Sequence, residues 1–513
     1  MIALPLRAPS LAAALLAAAL VGCAVGPDYV RPDAPSAPAY KEAPSDGGAT
    51  WLPAAPADTL DRGDWWRLFD DPELARLAGE VDAANQTIAA AVASYRQAQA
   101  LVKEARASYF PSVSLSVDAK RTGGGTVQGS NAAIAQSTAG NRFDASLNAD
   151  WAPDFWGRVS RSVESSRASE SASVADLAAA RLSAQGELAI DYFSLREADF
   201  EADLLTRTIE GYQRALVITQ NRYAAGTVAK TDVLQAQTQL ATTQASLTTV
   251  RANRARFEHA IAVLTGKAPG VVTIALAPWN AVVPGVPLGV PSDLLQRRPD
   301  IAAAERQVAA ANAQIGVERS AYFPSFVLGA SIGNGGARIG DLFSVSAAVW
   351  SIGVTATQTI FDAGAISARV AGAEAARDAA IARYRQTVLT AFQAVEDQLA
   401  NARAQADQAA YLKTASDAAD LTEQQILNRY REGQLSYTDV VTAQASALSA
   451  RRALVQVAVS RQVSAITLIQ GLGGGWDVTV PVQLDSSVHP ASRADAARAP
   501  AGPASAPQGR GTP

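Results

Sequence analysis

The sequence Arg-Ala-Ser-Tyr-Phe-Pro-Ser at residues 106–112 returns as Arg-Ser-Ala-Tyr-Phe-Pro-Ser at residues 319–325. A second motif, an Asn-Arg-Tyr triplet followed by a glycine and a Thr-Asp-Val triplet, is also written twice: at 221–223, Gly226 and 231–233, and at 428–430, Gly433 and 438–440. The copies of this second motif lie a constant 207 residues apart, the difference between positions 428 and 221. A repeat that spans so much of the chain indicates a duplicated building block, so we expect one structural plan in each half.

Each half contains a long stretch with the composition of a helix. Between Gly157 and about Ala225 there is no proline, and Ala, Leu, Arg, Glu and Gln dominate. At 1.5 Å per residue, a continuous helix here would reach on the order of 100 Å. A helical pattern of that length is typical of a coiled coil or a helical barrel. We therefore predict one very long helix, or a slightly broken pair, in this stretch.

The stretches that follow each Asn-Arg-Tyr motif carry small and apolar residues spaced by three and four positions. In the first half these are Val233, Ala236, Leu240, Thr243, Leu247 and Val250, and in the second half Val440, Ala443, Ala447, Ala450, Leu454 and Val457. This spacing places them along one seam, as paired helices require. A core stripe inside a globular helical bundle has the same spacing, but it would leave the length and the duplication unexplained.

Segments in which apolar residues alternate with polar or small ones begin after each Tyr-Phe-Pro-Ser. They predict one β-hairpin at about 112–152 and another at about 325–361, each with an apolar face and a polar or small one. Strands of roughly 10 residues with this alternation are long enough to cross an outer membrane. Four strands cannot close a barrel, so spanning strands require several copies, and three copies supply twelve. The alternative is a soluble antiparallel sheet that the helices cover.

The N-terminus has the composition of a secretory signal peptide, because Arg7 precedes the apolar run Leu11–Val21. That run is too short to span a membrane. It leads into Leu-Val-Gly-Cys, a lipobox pattern, which predicts a diacylglycerol on Cys23. Ala24 follows, where lipoproteins kept at the inner membrane usually carry aspartate, so we expect the outer membrane. An ordinary cleaved signal with an incidental cysteine is the alternative.

These patterns divide the chain into six parts. The Pro- and Ala-rich segment after Cys23 has the composition of an extended tether, and the Pro- and Ala-rich C-terminal segment that of a disordered tail. Prolines in the middle of the chain stop either neighbouring helix from running through. The predicted parts are a signal peptide (1–22), a lipid-anchored tether (23–60), the first repeat (61–266, with a helical hairpin at about 157–266), a connector (267–291), the second repeat (292–476, with a helical hairpin at about 363–471) and a flexible tail (477–513).

Composition and motifs argue against several classes of function. A net charge of −4 with 18% charged residues gives no sign of a nucleic-acid partner. Two histidines and one methionine argue against a metal or haem site built from those side chains. We expect Asp300 and Glu305 to start and solubilise a helix, and His259 beside Glu258 to be structural. The glycine runs lack the Lys-Ser/Thr of a phosphate loop, and we predict that the protein is not an enzyme.

Four segments resemble one known family. They are Cys23–Tyr29, Trp65–Leu74, Pro291–Ile301 with its Arg-Arg-Pro-Asp-Ile stretch, and Leu472–Trp476. The first three are similar to the TolC-type outer membrane factors, and the fourth is similar to the OprM or NodT lipoprotein branch of that family. The resemblance covers residues 23–476 of the chain.

The resemblance implies a mainly α fold with a transmembrane β-barrel, assembled as a TolC-like homotrimer. Four strands from each chain would form a twelve-stranded outer-membrane barrel, which continues past a mixed equatorial domain into a long periplasmic α-helical barrel. Members act as passive exit ducts of tripartite efflux pumps, as in multidrug resistance. They join through a periplasmic adaptor (membrane fusion) protein to an inner-membrane transporter, commonly of the resistance-nodulation-division class.

No cofactor is implied beyond the covalent lipid on Cys23. The cargo stays open among drugs, dyes, metal ions and peptides, because selection in such pumps lies mainly with the inner-membrane partner. The rival interpretation of the whole chain is a non-conducting trimeric spacer or adhesin in the outer membrane.

The resemblance also implies a gate at the periplasmic tips of the helices. Asp439, beside Thr438, matches the first acidic residue of the family's constriction. Thr442 stands where several members carry a second acid, and Leu435 stands where a basic residue can occur. Tyr430 matches an aromatic residue that tethers the closed state. The two departures leave the details of closure open.

The equivalent tip of the first repeat carries Asp232 and Tyr223. Two interpretations of Asp439 follow from its chemistry. Three symmetry-related carboxylates near a narrow axis would repel one another, raise their own pKa values and be relieved by a proton or a cation. Alternatively, Ser436-x-x-Asp439 is a capping-box pattern, with the acid near a helix N-terminus. One side chain can do both.

Overall fold

The computed structural model describes residues 24–35, 40–42, 63–123, 140–285, 297–344 and 348–474. The predicted signal peptide, the predicted lipidation site Cys23 and the predicted tail lie outside these residues. The α-helices and strands of the described part are, in chain order, α1 (Pro72–Ala84), α2 (Gln86–Ala107), β1 (Ser112–Thr122), β2 (Gly140–Trp151), α3 (Arg158–Ala224), α4 (Lys230–Leu264), α5 (Pro299–Arg319), β3 (Ser325–Gly336), β4 (Ala348–Thr357), α6 (Ala365–Arg431) and α7 (Tyr437–Gly471).

Two helical hairpins, α3–α4 and α6–α7, have the same dimensions. α3 and α6 are each 67 residues long, and α4 and α7 are each 35 residues long. α6 starts 207 residues after α3, the difference between positions 365 and 158, so the sequence offset holds throughout the hairpins. α3 is one unbroken helix rather than a broken pair. Within the described ranges, no helix combines the length and the apolarity that a membrane span requires.

The start of each long helix is tied to the end of a strand. Gly157 and Gly364 precede α3 and α6 with φ values of 76° and 88°, a left-handed conformation that glycine adopts without strain. An upstream aspartate, Asp154 or Asp362, accepts hydrogen bonds of 2.7–2.9 Å from backbone N–H groups in the first turn of each helix. These groups have no partner inside the helix, so each aspartate fixes a helix start against the strand before it.

The four strands form one antiparallel sheet in the order β1-β2-β3-β4, so the two halves of the chain join at the β2–β3 pair. The register aligns apolar residues in one row: Leu115 lies opposite Leu147, Leu147 opposite Ile332, and Ile332 opposite Trp350. The adjacent row holds Ser114, Asn148, Ser331 and Ser351. Because side chains alternate along a strand, all four strands place their apolar residues on the same face.

The apolar face of this sheet is open to its surroundings in the single chain. Leu115 is 71% exposed and Trp350 is 72% exposed. The soluble-sheet alternative requires helices that cover this face. The described helices do not cover it. On the opposite face, the Ser331 and Ser351 hydroxyls lie 2.9 Å apart. The sheet has one apolar and one polar surface.

Buried charges fasten the connector between the halves to the first hairpin. The Asp199 carboxylate accepts from Arg196 at 3.1 Å and from Arg254 at 2.6 Å. The same two guanidinium groups donate to the backbone carbonyls of Ala275 and Ile274, each at 2.7 Å. Ionic groups are buried at low cost only when they are paired in this way. The pairing holds the connector against α3 and α4.

The Arg-Arg-Pro-Asp-Ile stretch starts α5 and holds the end of α7. Pro299 occupies the first turn, where its missing N–H has no consequence. Arg298 binds the Asp300 carboxylate at 2.7–3.0 Å and donates to the Gly471 carbonyl at 3.0 Å. Asp300 thus lies at the helix start, as predicted.

The described part of the predicted tether lies against the helices. The Val25 N–H donates to the Trp156 carbonyl at 3.1 Å, and Asp28 pairs with Arg161 at 2.8 Å. Further along, Glu396 accepts from the backbone N–H groups of residues 41 and 42 at 2.8 and 3.1 Å. The N-terminal segment is extended, but along this part it is docked on the helices.

Glu305 is buried rather than solvated. The residue is only 3% exposed. Its carboxylate accepts a hydrogen bond from the Tyr29 hydroxyl and pairs with Arg306. Burial and the bond to Glu305 raise the pKa of the Tyr29 phenol. The expectation that Glu305 solubilises its helix is therefore wrong. The carboxylate instead anchors the N-terminal segment on α5.

Candidate functional site at the helix tips

Each helical hairpin turns at a glycine in the left-handed conformation. Gly226 follows α3 with φ 73°, and Gly433 follows α6 with φ 78°. The residue after each glycine donates its N–H to the carbonyl five positions earlier, at 2.9 Å in both tips. This Schellman arrangement satisfies carbonyls that the helix end leaves unpaired. The two tips therefore share one backbone plan.

Asp439 caps the start of α7. The Ser436 N–H donates to Asp439 Oδ2 at 3.0 Å, and the Ser436 hydroxyl donates to the same oxygen at 2.7 Å. The Asp439 N–H in turn reaches Ser436 Oγ at 3.4 Å. The predicted capping box is confirmed. Asp439 is exposed in the single chain, so its carboxylate is accessible to solvent and to ions at the tip.

Tyr430 packs into a cluster that joins the two hairpins. It is 8% exposed, and its ring lies 5.6 Å from the Tyr437 ring, centroid to centroid. Ala236 of α4 and Val440 of α7 complete the buried cluster. The Arg222 guanidinium carbon lies 4.7 Å from the centre of the Tyr430 ring, within cation–π range. The tyrosine therefore holds the second tip against the first hairpin.

The Tyr430 hydroxyl is buried and has no hydrogen-bond partner among the residues that the structure describes. A buried hydroxyl without a partner costs free energy, since water would otherwise satisfy it. The ring rather than the hydroxyl thus makes the favourable contacts of Tyr430 in this conformation.

The two threonines of the predicted gate differ in their partners. Thr438 Oγ1 donates to Gln235 Oε1 on α4 at 3.2 Å, a second link between the hairpins. Thr442 Oγ1 donates to the Thr438 carbonyl at 2.9 Å, within its own helix. Leu435, where a basic residue can occur, is half-buried. Thr438 is therefore a contact residue, and Thr442 is locally satisfied.

The first tip is more open than the second. Tyr223 is 45% exposed, whereas the equivalent Tyr430 is buried. Ala229 stands at the N-cap of α4 and provides no side-chain cap. Asp232 is half-buried and close enough to Tyr437 to contribute, after burial and two neighbouring tyrosines, to a Tyr437 pKa raised to about 12. The charge of Asp232 thus reaches Tyr437 of the second tip, whereas Tyr223 lies outside the buried cluster.

Sequence reasoning missed three residues of this contact: Arg222, Gln235 and Tyr437. Arg222 belongs to the repeated Asn-Arg-Tyr motif, so the repeat marks the position without showing which residue it touches. Tyr437 has no aromatic counterpart in the first repeat, where Lys230 stands, and that difference is a signal. Nothing in the sequence marks Gln235.

Higher along the hairpins, α7 lies against α3. A Cβ at Gly186 would lie 1.8 Å from Gln470 Nε2, so the glycine leaves room for the Gln470 amide. That amide donates to the Leu182 carbonyl at 3.2 Å. Nearer the tips, Arg452 of α7 pairs with Glu201 of α3. The two hairpins are joined along their length, and the tips are the end of that junction.

Residues 77–267 and 290–474 match the family model described as outer membrane efflux protein. The chain is similar to the cation efflux system protein CusC of Escherichia coli, 27% identical over 458 residues, which cover 89% of this chain and 96% of that protein. It is also similar to the pyoverdine export outer membrane protein OpmQ of Pseudomonas aeruginosa, 30% identical over 433 residues, which cover 83% and 90%.

Solved structures show the same architecture. The outer-membrane channel OprN matches with a TM-score of 0.78 and 32% identity, over 88% of this chain and all of that one. A structure of CusC matches with a TM-score of 0.75 and 26% identity, over 88% and 100%. The fold is mainly helical and is that of the TolC-like outer membrane channels, as predicted. The matched segments fall on the two halves of the duplicated chain, which belongs to the outer membrane efflux protein family.

Proposed function

We propose that this protein is the outer membrane channel of a tripartite efflux pump, a passive exit duct for substrates that an inner-membrane transporter expels. The observation that carries the proposal is the direct continuity between a two-faced sheet and two very long helical hairpins. Asp154 and Asp362 tie the hairpins to the ends of β2 and β4. A chain built in this way supplies a membrane part and a periplasmic part of one duct.

We infer a homotrimer with a twelve-stranded barrel. The described sheet ends at β1 and β4, and an unpaired strand edge is not tolerated in hydrocarbon. Three copies give twelve strands, within the known range of outer-membrane barrels. The row with Leu115 would then face lipid, and the row with Ser114 would face the lumen. Trp151 and Trp350, near strand ends, suit interfacial positions.

The proposed partners are a periplasmic adaptor protein and an inner-membrane transporter of the resistance-nodulation-division class. Two relatives are named for a cation efflux system and for pyoverdine export, so membership of the family does not fix the cargo. Passive conduction uses no catalytic group. We therefore propose no enzymatic activity and no cofactor.

A lipid on Cys23 completes the proposed anchoring. Ala24 lies against Gly157, since a Cβ at that glycine would be 2.8 Å from the Ala24 Cα. Gly157 directly precedes α3, six residues after the end of β2 at Trp151. An acyl group on the preceding cysteine would therefore start beside the sheet, near the membrane that the sheet is proposed to cross.

The proposed gate is the periplasmic mouth where the tips converge. Asp439, with Thr438 and Thr442, would line the constriction, and Tyr430 would tether the closed state. Around a three-fold axis, the Asp439 carboxylates would repel one another and favour cations. The capping box does not prevent this role, because the carboxylate remains exposed.

Single-channel recording of the detergent-purified trimer in planar bilayers tests the proposed duct and its gate. We expect small or flickering conductance from the wild type and larger conductance from Asp439→Ala. Ser436→Ala is the matched control, because it weakens the cap while it keeps the carboxylate.

A rise confined to the Asp439 variant would support closure by charge at the mouth. An equal rise in both variants would assign the effect to fraying of α7. Equal, open conductance in all three proteins would keep the duct and move the gate elsewhere. No current from a verified trimer in any form would favour the non-conducting spacer or adhesin.

A further inference from the structure

We propose that Arg429 of one copy stacks on the Tyr223 ring of the next copy. This contact would be the counterpart, between chains, of the Arg222–Tyr430 contact within one chain. The inference rests on the proposed trimer and names residues that seal its subunit seam at the helix tips.

The contact within the chain has a defined geometry. The Arg222 guanidinium carbon lies 4.7 Å from the centre of the Tyr430 ring, and Arg222 Nη2 reaches the Arg431 carbonyl at 3.5 Å. Arg222 is in the last turn of α3, and Tyr430 is in the last turn of α6. An arginine on one hairpin thus meets a tyrosine on the other.

The repeat supplies the same two residue types with the hairpins exchanged: the arginine comes from the second hairpin and the tyrosine from the first. At an offset of 207 residues, the difference between positions 429 and 222, Arg222 corresponds to Arg429 and Tyr430 corresponds to Tyr223. The helices that carry them have equal lengths, and both tips turn with the same backbone. Each hairpin therefore presents an arginine on one side and a tyrosine on the other.

Within one chain, only half of these sides are used. The arginine side of the first hairpin meets the tyrosine side of the second. The arginine side of the second hairpin and the tyrosine side of the first remain, with Arg429 exposed and Tyr223 45% exposed. A second copy carries the complementary side. Repeated head-to-tail, this contact closes into a ring when the rotation between copies allows it.

The other link between the tips corresponds to a weaker pair. Thr438 Oγ1 and Gln235 Oε1 are 3.2 Å apart within the chain. At the same offset their equivalents are Thr231 and Thr442. Two threonine side chains have a shorter combined reach than a threonine and a glutamine. The long side chains at the proposed seam between copies are therefore those of Arg429 and Tyr223, and they carry the contact.

Thiol cross-linking of two co-expressed full-length chains tests the contact. One chain carries Arg429→Cys and one affinity tag, and the other carries Tyr223→Cys and a different tag. Outer membranes are treated with a short bismaleimide, because a cation–π pair places the two Cα atoms too far apart for a disulfide. We expect a covalent dimer that bears both tags, several-fold more abundant than in either single variant.

The matched control uses the two residues that are in contact within one chain, and it places them on two different chains. Arg222→Cys on one chain and Tyr430→Cys on the other should give several-fold less two-tag product. The same two substitutions on one chain should give an internal link with no gain in mass. Single variants report any reaction of Cys23.

Two results would overturn the inference, and they are distinguishable. A trimer verified by its mass whose Arg429→Cys and Tyr223→Cys chains link no better than the control pair would remove the contact and leave the duct. The absence of any trimer would remove the proposed assembly and the contact with it.

Discussion

The two helix tips share a backbone but differ in their surroundings. Both turn at a left-handed glycine with the same hydrogen bonds. Tyr430 of the second tip is buried, whereas Tyr223 of the first is 45% exposed, and Ser436 caps α7 where Ala229 leaves α4 without a side-chain cap. Duplication has thus kept the turn and changed the side chains that decide what each tip packs against.

This contrast separates the residues that dock a tip on its neighbour from those that form the turn. The turn depends on one glycine conformation, which both tips have. Docking of the second tip depends on Tyr437, whose first-repeat counterpart is the exposed Lys230. Within one chain the second tip therefore packs against the first hairpin, whereas the first tip remains exposed.

Truncation of the two equivalent tyrosines should give the largest difference between the two tips. Tyr430→Ala removes a buried ring from the cluster between the hairpins, and we expect the local opening free energy to fall by about 3–5 kcal/mol. Tyr223→Ala removes a ring that is 45% exposed in the single chain and that only Arg429 of the next copy would cover in the proposed trimer, so it should cost less. Hydrogen exchange of the tip amides in the purified protein measures both. Equal acceleration in the two variants would contradict the asymmetry.

Removal of the arginine that covers Tyr430 should have the next largest effect. Arg222→Ala deletes the cation–π contact, and we expect a loss of about 1–2 kcal/mol in the exchange stability of the second tip. Arg214→Ala, an exposed arginine on the same helix, is the control. A loss of the same size in the control would assign the effect to helix propensity or net charge.

Substitutions at the two N-caps should change the stability of the two helix starts in opposite directions. Ser436→Ala should destabilise the start of α7 by about 1 kcal/mol, since it removes the Ncap hydroxyl. Ala229→Ser should stabilise the start of α4 by up to about 1 kcal/mol, because it creates a capping box with Asp232. Amide exchange in the first turn of each helix reports both changes. An unchanged α4 in the Ala229 variant would show that Asp232 is committed elsewhere.

Tyr437→Phe should have the smallest effect on stability at neutral pH. Its effect should appear only at alkaline pH. Burial, and then Tyr430, Tyr212 and Asp232, raise the Tyr437 pKa to about 12, above its ordinary value near 10. The folded state therefore holds this proton more tightly than the unfolded state. Its contribution to stability is complete below about pH 10 and is lost as the pH rises through about 12.

Tyrosinate absorbance followed against pH should show one phenol fewer titrating near pH 12 in the Tyr437→Phe protein. The conductance of the wild type should rise over the same interval more than that of the variant. A difference of one phenol near pH 10 instead of near pH 12 would mean that the phenol is not buried in the assembled protein.

The long helices and the strands were predictable because their signals are local. Period, proline-free composition and the repeated motifs place α3, α6 and both β-hairpins close to their observed bounds. The joining of the two hairpins into one sheet could not be predicted in the same way, because the pairing of Leu147 with Ile332 links strands from different halves of the chain. A two-faced strand specifies its faces but not its neighbour.

The same division runs through the helix tips and the N-terminal segment. The Asp439 cap follows from a four-residue motif, so the sequence predicts it correctly. The Arg222–Tyr430 contact depends on how two hairpins lie together, which no spacing encodes. Glu305 was expected in solvent because carboxylates usually are, yet it is buried under Tyr29, 276 positions away.

The close approach of Gln470 to Gly186 has a mechanical consequence for the proposed trimer. At the 207-residue offset, the difference between positions 393 and 186, the corresponding seam between copies would pair Gln393 with Val263. The Gln393 side chain would occupy the space that Gly186 leaves open within the chain, and Val263 has no side-chain amide to donate to a carbonyl. The wall of the duct would alternate between stiff joints within chains and compliant joints between them. An outward push on the helices would therefore part neighbouring chains before it parted the two halves of one chain.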